Sequence, residues 1–182
     1  MTKIDDLIAR VAARARAECP TLPPPVGDPD VNAAEDALGF HLPPLLARLY
    51  RDVANGGFGP DYQLFPLVGE GPTAVDVYRE ERAHAGGTGW PAGVLPILHW
   101  GCGMYAAVDC TTASSTVLLF EPNVYQGDWA DAWFLDAETL DGWLEGWLSG
   151  NAWYEEENLG NTEPPEPRPW TDARERLARI RG

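Results

Sequence analysis

The residues best able to do chemistry in this sequence are one histidine and two cysteines near its middle. His99, Cys102 and Cys110 form an H-x2-C-x7-C pattern, and imidazole and thiolate are the ligands that zinc prefers. A structural zinc site needs four ligands, and the paired C-x2-C elements that often supply them are absent. We therefore expect no metal here, because a hairpin turn beside a small buried thiol explains the pattern better.

Catalysis by these or other residues has little support in the sequence. A thiolate beside an imidazolium is reactive, but nothing near His99 and Cys102 resembles an oxyanion hole. The glycine-rich residues 55–60 are not followed by the Lys-Ser/Thr pair of a phosphate-binding loop. The carboxylates are too spread out to specify an acid–base pair. The sequence predicts a protein that is not an enzyme and needs no cofactor.

The distribution of charge is more informative than its sum of −15. No Lys or Arg occurs in residues 83–167, which we call the acidic stretch, although it holds 13 carboxylates. The negative electrostatic field around such a stretch repels nucleic acid and anionic membranes, and it attracts cationic proteins. Two interpretations stay open: the charge keeps the protein soluble, or it recognises a basic partner. The carboxylates are Asp109, Glu121, Asp128, Asp131, Asp136, Glu138, Asp141, Glu145, Glu155, Glu156, Glu157, Glu163 and Glu166.

Large aromatic residues lie among these carboxylates, outside the apolar stripe of any predicted helix. Tyr and Trp anchors dominate the energetics of interfaces, and flanking carboxylates add specificity for a cationic surface. The alternative is that these rings seal the edge of a small core. The predicted partner-binding residues are Asp128, Trp129, Asp131, Trp133, Trp153, Tyr154, Glu155, Glu156 and Glu157.

Size and composition predict a cytoplasmic protein with one main core. A chain of 182 residues is long enough to bury a single core. No segment approaches the ~18 consecutive apolar residues of a membrane span, and the N-terminus lacks the layout of a signal peptide. Three cysteines are an odd and sparse set, which favours reduced thiols over a disulfide scaffold.

Capping residues and apolar spacing predict several helices. Thr2 and Asp5 resemble a capping box before a helix over residues 3–18. After an extended proline-rich linker, we expect Asp30 to cap a helix that Gly39 ends. A helix then enters at Pro43-Pro44, and another covers residues 73–84. Later, Asp136 is predicted to cap a helix that ends at Gly150, and Thr171 to cap the last one.

Short apolar runs predict a sheet of about four to six strands. The runs over residues 94–100, 104–110 and 115–121 are joined so closely that only hairpins can connect them, which predicts an antiparallel meander. Further strands are expected over residues 62–68 and 132–135. With helices packed on this sheet, the fold class is α+β.

The chain divides by composition into three parts. Residues 1–22 hold the first helix and the start of the linker, and residues 23–150 form the main domain. Residues 151–182 combine a segment rich in proline and acid with a C-terminal helix. We expect this tail to be loosely held.

Two stretches of the sequence are typical of a known family. The first is AAEDALGFHLPPLLARLY at residues 33–50 followed by NGGFG at 55–59, and the second is LPILHWGCG at 95–103. In this order they resemble the SUKH superfamily, also known as the Smi/Knr-like domain. The resemblance covers about residues 30–150. It implies an α+β fold with helices against an antiparallel sheet, and the family has no shared catalytic residues to carry over.

The resemblance also implies a role. Many bacterial members are immunity proteins that bind and neutralise toxins, often nucleases, from contact-dependent or polymorphic toxin systems, whereas fungal members are regulatory scaffolds. The expectation is therefore a non-catalytic immunity protein whose basic partner is a cognate bacterial toxin. The alternative is a regulatory or scaffold protein of the same fold.

Overall fold

A five-stranded antiparallel sheet forms the centre of the protein. The computed structural model describes residues 2–61, 63–84, 89–154 and 166–179. The strands follow one another in chain order, each paired with the next, so the predicted meander and the α+β class are confirmed. The strands are β1 (Val94–Gly101), β2 (Met104–Asp109), β3 (Val117–Phe120), β4 (Trp133–Ala137) and β5 (Arg168–Pro169).

Helices precede, interrupt and follow the strands. None of the helices in the described ranges is long and apolar enough to cross a membrane. The α-helices are α1 (Lys3–Glu18), α2 (Asp28–Leu38), α3 (Pro44–Arg48), α4 (Ala74–Ala83), α5 (Leu140–Ser149) and α6 (Ala173–Ala178). A π-helical turn covers Leu49–Val53, and short 3-10 helices cover Pro122–Val124 and Trp129–Ala132.

The predicted start of α1 is confirmed, but the predicted N-cap of α2 is wrong by three residues. The Thr2 hydroxyl accepts a hydrogen bond from the Asp5 amide at 3.1 Å, and the Asp5 carboxylate accepts one from the Thr2 amide at 2.8 Å. Gly27 is the N-cap of α2, and Asp30 is its third residue, whose carboxylate accepts from the Gly27 amide at 3.1 Å. Gly39 ends this helix at φ 78°.

Other predicted element boundaries also need correction. Asp136 lies within β4, and Thr139 caps α5 by accepting a hydrogen bond from the Gly142 amide at 3.1 Å. Asp172, not Thr171, precedes α6. Residues 63–68 form no strand, although one amide of this segment, that of Phe65, donates to the Ile97 carbonyl at 2.8 Å.

A cluster of aromatic rings packs on one face of the sheet. Tyr105, Phe120 and Trp133 lie directly across neighbouring strands and therefore share that face. Trp90 packs edge-on against all three, with ring centroids 5.5, 5.2 and 4.8 Å away. Edge-to-face packing of this kind is favourable beyond the area that it buries. This aromatic cluster stabilises the end of the sheet at which β3 ends and the loop after it begins.

The described residues of the C-terminal segment are integrated into the fold, contrary to the expected loose tail. β5 extends the sheet beyond β4, with Pro169 paired to Phe134. Trp170 and Leu177 are buried, at 9% and 5% exposed. Because proline has no amide to donate, Pro169 also suits the outer edge of a sheet.

Candidate functional site

The three residues first considered for chemistry do not assemble into a site in the described structure. The His99 ring packs 4.9 Å from the Tyr105 ring, and Cys102 is exposed in the β1–β2 turn at φ 51°. Burial, together with the nearby Asp109 carboxylate, raises the pKa of the Cys110 thiol to about 12, so it is a poor nucleophile near neutral pH. Across the described ranges, no group of three or more His, Cys, Asp or Glu residues is placed to hold a metal ion.

Much of the acidic stretch is paired with cations from outside it. Six of its nine described carboxylates form ion pairs, and the cations come from α1 and from the C-terminal segment. The stretch is therefore less of a free negative surface than its sequence suggests. The pairs are Asp109–Arg176, Asp128–Arg174, Asp131–Arg174, Glu138–Arg168, Asp141–Lys3 and Glu145–Arg10.

The expectation that Trp133 is an exposed anchor is wrong. Its side chain is 0% exposed, and its ring contacts the rings of Trp90, Phe120 and Trp170. The alternative considered for these aromatics, that they seal the core, holds at this position. The physical reason is that Trp133 begins β4 opposite Phe120, which places its indole on the covered face of the sheet.

Trp153 and Tyr154 are half-buried and pack on the end of β1. Their rings lie 5.4 and 4.8 Å from the Trp100 ring. The Asp136 carboxylate accepts hydrogen bonds from the indole N–H groups of Trp153 at 2.8 Å and of Trp143 at 2.9 Å. This carboxylate therefore ties the residues after α5 to the helix itself. The predicted Glu155, Glu156 and Glu157 lie outside the described residues.

Replacing Asp136 should destabilise the protein and alter its pH dependence. Burial raises the pKa of the Asp136 carboxyl, although both indole N–H groups oppose the shift. Asp136→Asn leaves one oxygen for two indole donors, so we expect a loss of about 1–3 kcal/mol in the free energy of unfolding at neutral pH. Urea denaturation measures this loss, with Asp141→Asn as an exposed control that stays within about 0.5 kcal/mol of wild type.

The sign of the pH effect follows from the raised pKa. The folded protein holds this proton more tightly than the unfolded chain, so wild-type stability from this group is greatest in acid and falls as the pH rises above the ordinary value of 3.8. Asn lacks this titration. The difference in the free energy of unfolding between wild type and Asp136→Asn should therefore be larger at about pH 4 than at about pH 7. An equal difference at both values would contradict the raised pKa.

The aromatic group that remains accessible lies in the loop between β3 and β4. The Tyr125 ring stacks on the Trp129 ring, with centroids 4.2 Å apart and planes at 30°. Tyr125 is 43% exposed and its neighbour Val124 is 40% exposed, and only Ile4 joins them as an exposed large hydrophobic residue in the described part of the chain. We call Val124, Tyr125, Asp128, Trp129 and Asp131 the Tyr125–Trp129 surface.

Local hydrogen bonds stabilise this loop. The Glu121 carboxylate accepts from the amide of Asn123 at 2.9 Å and from its side chain at 2.7 Å. The same side-chain amide donates to the Cys102 carbonyl at 3.2 Å, which links the loop to the β1–β2 turn. The Asp128 carboxylate caps the next 3-10 turn by accepting from the Ala130 amide at 3.0 Å. A loop ordered before binding loses less entropy when a partner docks.

An internal cation contributes to the electrostatics of the Tyr125–Trp129 surface. Arg174 of α6 reaches across to it, with Nε 3.1 Å from an Asp128 oxygen and Nη2 3.4 Å from an Asp131 oxygen. Glu121 lies at the start of the same loop and is bonded to the neutral Asn123. Asp128 and Asp131 therefore share the Arg174 guanidinium, so these three side chains together carry a net negative charge.

The structure thus divides the predicted site into separate groups. Asp128, Trp129 and Asp131 come together, whereas Trp153 and Tyr154 belong to the Trp100 cluster. No ring contact between described residues joins the two groups. Tyr125 was not among the predicted partner-binding residues. An aromatic residue four positions before Trp129 in the same predicted loop could have indicated it. Arg174 was missed because its position 46 residues from Asp128 leaves no local pattern.

An antiparallel sheet in chain order with helices packed on it defines the class of α+β proteins to which this fold belongs. The chain belongs to the SMI1/KNR4 family (SUKH-1), whose model matches residues 25–146. The resemblance to the SUKH superfamily is thereby confirmed. No curated protein matches the chain. The matched range contains the Tyr125–Trp129 surface and ends before β5 and α6.

Proposed function

We propose that this protein is an immunity protein that binds and neutralises a basic bacterial toxin through the Tyr125–Trp129 surface. The observation that carries the proposal is a pair of stacked aromatic rings, an exposed Tyr125 on a partly buried Trp129, that is flanked by carboxylates. Membership of the SUKH-1 family is consistent with an immunity role. The proposed mechanism is occlusion, so it requires no reaction by this chain.

The two components of the surface serve different steps of binding. Aromatic anchors in a desolvated contact slow dissociation, because they bury large areas at little cost in side-chain entropy. Carboxylates at the rim speed association with a cationic surface, and this effect declines as salt screens the charges. A nuclease fits this description, since an enzyme that binds nucleic acid presents a basic cleft.

Co-expression with the product of the adjacent gene tests the proposed function. We expect a stable complex whose association rate rises at least about tenfold between about 500 mM and about 50 mM salt, because rim carboxylates steer a basic partner. Stopped-flow mixing of the purified proteins measures this rate. A complex that forms equally fast at both salt concentrations would contradict steering by charge. The absence of a complex, with a partner found among housekeeping proteins instead, would favour a regulatory scaffold.

A further inference from the structure

The first strand of the sheet turns part of its backbone away from its neighbour. β1 lies at one end of the strand order and is therefore an edge strand. In an antiparallel pair, residues that exchange hydrogen bonds alternate with residues whose backbone groups point to the other side. The Asp109 amide donates to the Thr116 carbonyl at 2.9 Å, so Asp109 and Tyr105, an even number of residues apart on β2, face β3. His99 lies opposite Tyr105, and its N–H and C=O therefore point outward, away from β2.

The chain beside this edge, residues 63–68, makes one backbone hydrogen bond to β1 in the described structure and then leaves the strand. Its Phe65 amide donates to the Ile97 carbonyl at 2.8 Å. The Phe65 carbonyl accepts from the Tyr50 hydroxyl at 3.0 Å, and the next residue is a proline, which has no amide to donate. No described amide of this segment is therefore left for the His99 carbonyl. Gln63 donates to Pro60, Leu64 to Phe58, and Leu67 and Val68 to the Asn55 side chain.

An open cleft of about 540 Å³, which we call the His99–Phe65 cleft, lies between this segment and β1. Phe65, Pro66 and Val68 contribute apolar surface to it, and His99 lines it from the strand. The wall is closely packed from behind, since a Cβ on Gly56 would lie 2.5 Å from the Phe65 carbonyl oxygen. The cleft thus combines apolar surface with a backbone N–H and C=O that have no partner among the described residues.

An extended peptide matches both features of this cleft. An exposed strand edge can pair with a further chain, whose main chain supplies the donor and the acceptor while alternate side chains enter a pocket. Glu70 is the one carboxylate among the lining residues in the described part of the chain, and none of these residues is Lys or Arg. A basic residue in the peptide is therefore favoured next to the apolar ones.

We propose that the His99–Phe65 cleft binds an extended segment of a partner protein, which pairs its main chain with that of His99. An apolar side chain of the segment packs against Phe65, and a basic side chain lies near Glu70. The cleft shares no lining residue with the Tyr125–Trp129 surface. This contact therefore goes beyond the function proposed above and does not depend on a toxin as the partner.

Amide hydrogen exchange tests the main-chain pairing without any substitution in the protein. The probe is the peptide acetyl-Lys-Val-Leu-Val-Thr-amide at about 5 mM, a concentration at which even weak binding is detected. We expect the His99 amide to exchange at least about tenfold more slowly with the peptide, because it gains a hydrogen bond. The Phe65 amide is already bonded to Ile97 and should change by less than about twofold. Unchanged exchange at His99 would overturn the proposal.

Two N-methylated peptides distinguish main-chain pairing from apolar contact alone. One carries the methyl group on the leucine amide and the other on the amide of the next valine, so the two have the same composition. Successive amides of a strand point to opposite sides. One of the two peptides should therefore bind at least about tenfold more weakly than the parent peptide, and the other within about threefold of it. An equal loss with both, or no loss with either, would contradict pairing at the strand edge.

Variants of the protein locate the peptide in the cleft. Phe65→Ala should weaken binding about fivefold or more, because apolar surface of the cleft is lost. Phe40→Ala removes another half-buried phenylalanine outside the cleft and, as the matched control, should leave Kd within about twofold of wild type. Glu70→Gln should weaken binding about twofold at low salt. The double variant Tyr125→Ala, Trp129→Ala should bind the peptide as wild type does. A loss in that double variant as large as in Phe65→Ala would place the peptide elsewhere and overturn the proposal, as would unchanged binding by Phe65→Ala.

Discussion

Arg176→Ala is expected to lower the free energy of unfolding by about 3–5 kcal/mol, because it leaves a buried carboxylate without its cation. The side chains of Asp109 and Arg176 are 2% and 14% exposed and lie 2.9 Å apart. Arg176 also donates to the Ala92 carbonyl at 2.7 Å, and its guanidinium lies 5.4 Å from the centre of the Trp170 ring. One side chain therefore fastens α6 to the sheet.

Urea denaturation followed by tryptophan fluorescence measures this loss. Arg174→Ala is the matched control, since it removes an arginine two residues earlier whose ion pairs are exposed, and we expect it to cost under about 1 kcal/mol. Replacing both partners, as Asp109→Leu with Arg176→Met, should recover much of the loss because no lone charge stays buried. Equal destabilisation by the two single arginine variants would show that the Asp109–Arg176 pair does not fasten α6.

Tyr125→Ala and Trp129→Ala should each weaken binding to the partner by about 2 kcal/mol or more, which is about thirtyfold in Kd. The reason is that stacked rings at the centre of a contact supply most of its apolar area, whereas rim charges mainly affect the association rate. Isothermal titration with the partner protein measures the change.

Ile4→Ala is the matched control for these variants. Ile4 is 44% exposed, close to the 43% of Tyr125, but it lies at the start of α1. Ile4→Ala also removes an exposed apolar side chain, but away from the Tyr125–Trp129 surface. It should therefore leave the Kd for the partner unchanged. An effect of Ile4→Ala as large as that of Tyr125→Ala would place the interface elsewhere on the protein.

The fold was predictable from the sequence wherever residues a few positions apart determine the local secondary structure. The capping residues of α1, the left-handed glycines after α2 and α5, and the short connections between β1, β2 and β3 all act within a few residues. The start of α5 was misplaced because Asp136 and Thr139 are both good capping residues. Sequence spacing could not show that the Asp136 carboxylate bonds two indoles instead.

The site was less predictable because its members meet through the tertiary fold. Aromatic residues beside carboxylates looked alike in sequence, but the strand register buries Trp133 completely while Trp129 is only partly buried. The charge balance was also hidden, since Arg174 and Arg176 lie 46 and 67 residues from the carboxylates that they contact. The acidic stretch therefore looked more uniform than the surface that it forms.

The most direct measurement for the account as a whole is a titration of the partner toxin's own activity. Increasing amounts of wild-type protein should abolish that activity at a one-to-one molar ratio, as occlusion requires, and the double variant Tyr125→Ala, Trp129→Ala should fail to do so at the same concentrations. Inactivation by far less than one equivalent would instead indicate catalysis by this chain. Equal inhibition by the double variant would contradict the Tyr125–Trp129 surface as the binding site.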